Sequence, residues 1–99
     1  PMSQQERLDS FPEVQAVTDC DALMRSAATS PSSYKSKMRW SLDNTATPGR
    51  VTISRRFEAE NAFGVRLEGQ YECTVDAVSG QVIKLRAYQN GEWQAVAGG

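Results

Sequence analysis

The chain has 99 residues, 39% of them hydrophobic and 23% charged, which is enough for one small folded domain and too little for a second core. It contains no histidine and two cysteines, which excludes Ser-His-Asp and Cys-His catalysis, histidine-bearing zinc sites and a four-cysteine metal site. The formal net charge of −1 conceals an uneven layout. Residues 34–56 hold Lys35, Lys37, Arg39, Arg50, Arg55 and Arg56 against the single Asp43, while the segments on either side are acidic on balance.

Residues 1–9 are polar and are expected to form a flexible N-terminus, with one domain over 10–97. Pro1 ahead of Met2 implies processing or a cloning scar, and with no basic n-region and apolar h-region ahead of the fold a signal peptide is expected to be absent or already removed. The apolar stretches are only a few residues long, so no span of a bilayer is expected. Ser10, Pro12 and Glu13 read as a helix start, with Ser10 and Glu13 spaced as a capping box. Ala16, Val17, Cys20, Leu23, Met24 and Ala27 then recur at helical spacing as one apolar stripe, with Asp19, Asp21 and Arg25 mostly off it. Ser30-Pro31 should end the helix.

Beyond it the period becomes two. Met38, Trp40 and Leu42 alternate with polar residues as a half-buried strand, and Pro48-Gly49 makes a turn. A second strand over 50–60 puts Val51, Ile53, Phe57 and Ala59 on one face, with Arg55 sharing that apolar parity. A third, from Val65 to Asp76, alternates Val65, Leu67, Gly69, Tyr71, Cys73 and Val75 with charged or polar residues. Charge pairing predicts Glu58 opposite Arg66, Arg56 opposite Glu68 and Val51 opposite Cys73, since a slip of two would set Glu58 against Glu68. Ser79-Gly80 turns into a fourth strand with Ile83, Leu85 and Ala87 inward, and Asn90-Gly91 predicts a hairpin returning through Trp93. The predicted fold is α+β: one N-terminal amphipathic helix packed on a four- to five-stranded antiparallel meander sheet.

That packing brings Cys20, on the helix stripe, and Cys73, on the inward face of the third strand, to one interface. A disulfide, two inert buried thiols and a redox pair are the three readings. The stability demands of a small domain and the compartments in which such bonds persist favour the first.

Four motifs stand out in order: Cys20-Asp21-Ala22-Leu23-Met24, Ser30-Pro31-Ser32-Ser33-Tyr34-Lys35, Phe57-Glu58-Ala59-Glu60-Asn61-Ala62-Phe63-Gly64 at a hairpin, and Tyr71-Glu72-Cys73-Thr74-Val75. Together they resemble a widespread group of small bacterial and phage-borne domains, many of which look like secreted proteins, lipoproteins or the extracytoplasmic part of membrane-anchored proteins. The likeness covers about residues 20–86. It implies an extracytoplasmic setting and a paired Cys20–Cys73, and it brings no catalytic residue.

Phe63 either caps the core or projects as an apolar contact; capping is the stronger expectation for an isolated aromatic. Trp40 reads as core, and Trp93 as partly exposed. The acidic pairs Glu58 with Glu60 and Glu68 with Glu72 lie outward among arginines, where nothing raises a carboxyl pKa for acid catalysis. No enzyme activity, cofactor or metal is expected. A pI near 5.4 disfavours nucleic acid, whereas an acidic protein surface suits the basic middle. The candidate partner-binding residues are Lys37, Arg39, Arg55, Arg56 and Phe63. The expected function is a non-catalytic protein-binding domain of the bacterial envelope, periplasmic or otherwise extracytoplasmic. An immunity- or exclusion-type inhibitor and a small accessory lipoprotein are both of this kind, with the membrane reached only through a removed N-terminal anchor. The alternative is a cytoplasmic phage-type inhibitor with free thiols that masks its partner through the basic strand face. A sheet edge also offers a route to a homodimer.

Overall fold

The computed structural model describes residues 11–44 and 47–98. Helix α1 (Glu13–Ala27) is followed by a 3₁₀ turn (Pro31–Ser33) and five strands: β1 (Lys35–Asp43), β2 (Arg50–Glu60), β3 (Arg66–Asp76), β4 (Val82–Gln89) and β5 (Glu92–Ala97). The strands form one sheet in the order β1-β2-β3-β4-β5, every neighbouring pair antiparallel. The expected flexible N-terminus and the capping role of Ser10 lie outside the described residues. Within them, α1 starts at Pro12 without a side-chain cap, and the Glu13 carboxylate instead accepts a hydrogen bond from Trp40 Nε1 at 3.1 Å. The helix ends where Ala28 turns extended ahead of Pro31.

The apolar stripe of α1 buries Ala16, Val17, Cys20 and Met24 against Val51, Ile53, Phe57, Tyr71, Cys73, Val75 and Leu85 of the sheet. Cys20 and Cys73 are bonded, with Cα atoms 6.2 Å apart and a sequence separation of 53. This bond ties helix to sheet at the centre of the core, where both sulfurs are fully buried.

Four local expectations change. The β2–β3 register is the one that charge pairing disfavoured: Glu58 faces Glu68, Glu60 faces Arg66 and Ile53 faces Cys73. A third strand resolves the repulsion. Lys37 of β1 sets its Nζ 2.7 Å from Glu58 and 3.8 Å from Glu68, and Arg66 reaches Glu58 diagonally at 2.7 Å. The turn fixes the same register, because the Asn61 side chain accepts the amides of Phe63 and Val65 at 2.9 and 3.0 Å and closes a longer loop. Met38 is 91% exposed rather than half buried, because β1 bulges: Ser36 pairs with Phe57 but Trp40 with Arg55, leaving residues 37–39 looped out of the ladder. In β4 a second bulge makes Val82, not Ile83, the residue that pairs with Val75 and packs on the core. Phe63 does not cap the core; it is 90% exposed at the tip of the β2–β3 hairpin.

Candidate functional site

The inner face of the sheet is occupied by α1 and carries a polar seam as well as the apolar core. Arg55, at an apolar-parity position of β2, points under the helix. Its Nη1 pairs with Asp21 Oδ2 at 2.6 Å, its Nε donates to the Lys37 carbonyl that the bulge frees at 2.6 Å, and its guanidinium lies 4.8 Å from the Trp40 ring centroid. Asp21 also accepts the Tyr34 hydroxyl at 2.7 Å. Burial, reinforced by the Asp21 carboxylate, pushes the Tyr34 phenol well above its ordinary range. Tyr71 is pushed up too, by burial first and by Asp21 second, and its hydroxyl makes no hydrogen bond of normal geometry. This seam holds β1 and α1 together. Arg55 therefore faces inward, apart from the other basic residues proposed for a partner.

Among the described residues nothing covers the outer face of the sheet. Around the β1 bulge it gathers Lys37, Arg39 and Arg56 with the side chain of Met38 standing among them. Two shallow concavities flank this group. One, of about 390 Å³, is bordered by Lys37, Met38, Arg39, Arg56 and Glu68, with Phe57 and Gly69 beneath; the other, of about 300 Å³, runs from Arg39, Ser41, Ser54, Arg56 and Gln70 to Trp40 and Arg55, so Arg55 borders it although its guanidinium is engaged with Asp21. Lys37 is engaged with Glu58 and Glu68, whereas Arg39 and Arg56 have no ion pair among the described residues. Two unpaired guanidiniums beside hydroxyl and amide groups make a surface suited to carboxylates, with Met38 supplying an adaptable apolar contact. Phe63 stands apart, since Glu60 alone is already about 13 Å along the strand from Arg56.

No protein-family model matches the chain, and neither a curated protein nor a solved structure is significantly similar to it. The site is therefore read from its own chemistry.

Hydrogen bonds from Lys37 and then Arg66 hold Glu58 down at about 2, so it is ionised throughout the neutral range. Asp76, at the β3–β4 turn, is lowered by the amides of Ser79 and Val78. Among the described residues no group of three or more cysteine or carboxylate side chains comes together to hold a metal ion.

Two features of the same face differ from or go beyond the sequence expectation: the outward Met38 and the Tyr88–Trp93 pair. Alternation in β1 places Met38 inward, because the bulge leaves no mark in the strand's own residues. Tyr88 and Trp93 pair across β4 and β5 with ring centroids 5.3 Å apart, both 41% exposed, and Arg86 lies 4.2 Å over the indole while bonding Glu72 at 2.8 Å. The Asn90-Gly91 hairpin was the available signal, since a two-residue turn places Tyr88 opposite Trp93.

Proposed function

We propose that this chain is a non-catalytic protein-binding domain that takes an acidic segment of another protein on the outer face of its sheet, around the β1 bulge. The observation that carries the reading is the unpaired Arg39 and Arg56 flanking Met38, which is 91% exposed. Exposed arginine–carboxylate pairs contribute only about 0.2–1 kcal/mol each. Selective binding therefore needs the Met38 contact and exclusion of water as well as charge. The setting proposed is the bacterial envelope. The buried Cys20–Cys73 bond, which persists best in an oxidising compartment, and the resemblance carried by the Asn61–Gly64 turn and its downstream cysteine both support it.

The test is a titration of the isotopically labelled chain with a short Glu- and Asp-rich peptide carrying one aliphatic residue, followed by amide chemical shifts. The reading expects salt-sensitive shifts confined to residues 37–41, 54–56 and 70, abolished in Arg39→Glu/Arg56→Glu with the rest of the spectrum unchanged. Shifts scattered over the surface, or undiminished in the double variant, would overturn it.

A further inference from the structure

The two edges of the sheet are not equivalent. β1 carries Lys35, Lys37 and Arg39 and a bulge, the devices that keep an edge strand from pairing with another chain. β5 has no basic residue and no proline, and its sole charge is Glu92 beside the turn. Asn90 and Gly91 both have positive φ, 58° and 79°, the pattern of a two-residue type I′ hairpin. In such a hairpin the flanking pair, Gln89 and Glu92, exchanges both hydrogen bonds, and the alternation then follows along the strand. Gln94 accordingly points its backbone groups toward β4, while Trp93 and Ala95 point theirs to the open edge.

We propose that β5 pairs antiparallel with β5 of a second copy of this chain, about a two-fold axis through Gln94. Trp93 then faces Ala95 of the second copy and Ala95 faces its Trp93, so that both narrow pairs close with four backbone hydrogen bonds and each indole lies over a methyl group. Gln94 faces its own symmetry mate, and Glu92 faces Val96, so no like charges meet. The extra residue at Val96, between the Leu85–Ala97 and Arg86–Ala95 pairs, ends the regular stretch, which leaves a register centred on Gln94 as the one that uses it fully. The resulting ten-stranded sheet carries Tyr88 and Trp93 of both copies as one band on its outer face. A contact this small gives a reversible dimer with Kd on the order of 10–100 µM. The inference concerns the far edge from Arg39 and Arg56 and stands independently of what binds there.

The experiment is sedimentation equilibrium of the full chain from about 1 µM to 1 mM, spanning the weak limit of a specific contact. The expected result is a mass rising from 10.9 kDa toward twice that value. Ala95→Pro removes only an outward amide, so it should stay at single-chain mass with an unchanged circular dichroism spectrum. Ala95→Lys keeps that amide but places a charge beside the second Trp93, and should weaken association at least tenfold even if the proline variant folds poorly. Amide exchange of Trp93 and Ala95 should slow as concentration rises, while that of Gln94 stays constant. A wild-type chain of single mass over the whole range overturns the proposal, including the case where β5 pairs with a different protein. So does an Ala95→Lys variant that associates as the wild type does.

Discussion

Arg55 occupies a position whose neighbours in β2 are buried and apolar, and its side chain is only 13% exposed. A cation there is tolerated because Asp21 comes down from α1 to meet it and the bulged Lys37 carbonyl accepts its Nε. Asp21→Ala leaves the guanidinium and the Tyr34 hydroxyl without their acceptor and should cost about 2–3 kcal/mol in urea unfolding. Replacing the pair together, as Asp21→Leu/Arg55→Met, should cost less than Asp21→Ala alone, a non-additivity that a double-mutant cycle measures. Tyr71 presents the opposite case. Its buried hydroxyl lies by Arg55 and Asp21 without a hydrogen bond of normal geometry to either, so Tyr71→Phe is expected to be neutral or to stabilise by up to about 1 kcal/mol. Glu58 governs the acid limb. Its folded value near 2 lies below the 4.5 of an unconstrained glutamate, so the ionised form stabilises the fold above about pH 4.5. That contribution fades as pH falls toward 2, and Asp76 acts in the same direction. Glu58→Gln should flatten the stability–pH profile between about 4.5 and 2.

At the scale of elements, alternation and turn chemistry carried most of the information. The apolar stripe placed α1, the two-residue period placed β2 and β3, and Asn90-Gly91 placed the last hairpin. What pattern could not reveal is the pairing of strands through a third neighbour: the Asn61 turn sets Glu58 opposite Glu68, and Lys37 approaching from β1 offsets their repulsion. Both missed orientations, Met38 and Ile83, coincide with bulges, where one or two extra residues break the period locally. Gly69 shows how tightly the hairpin packs. A Cβ there would stand 2.6 Å from Phe57 Cζ and 2.7 Å from the Tyr88 carbonyl oxygen. Gly69→Ala is thus expected to destabilise by about 1–3 kcal/mol, because the Tyr88 side of the contact is backbone and cannot swing away. Thermal unfolding of the variant reads this directly.

For the molecule as a whole, one helix covers one face of the sheet and a single disulfide holds it there. No described element covers the other face. The basic cluster was legible as a run of charge between acidic ends, but its composition was not: strand parity already set Arg55 apart, and the bulge that gathers Lys37, Met38 and Arg39 is a property of the β1–β2 ladder rather than of either strand. Closing a loop of 53 residues, the Cys20–Cys73 bond is worth about 2–4 kcal/mol, a large part of the stability of a domain this size. Cys20→Ala/Cys73→Ala should therefore unfold roughly 10–30 °C lower in a calorimeter. The placement of the helix, the openness of the outer face and the proposed compartment all meet at this bond. The deciding measurement is intact mass after alkylation of natively sourced protein, denatured without reductant, beside a reduced control. No added alkyl group in the unreduced sample and two in the control is the predicted result. Two groups in both would contradict the bond, remove the main support for the envelope, and favour a cytoplasmic inhibitor acting through the same basic face.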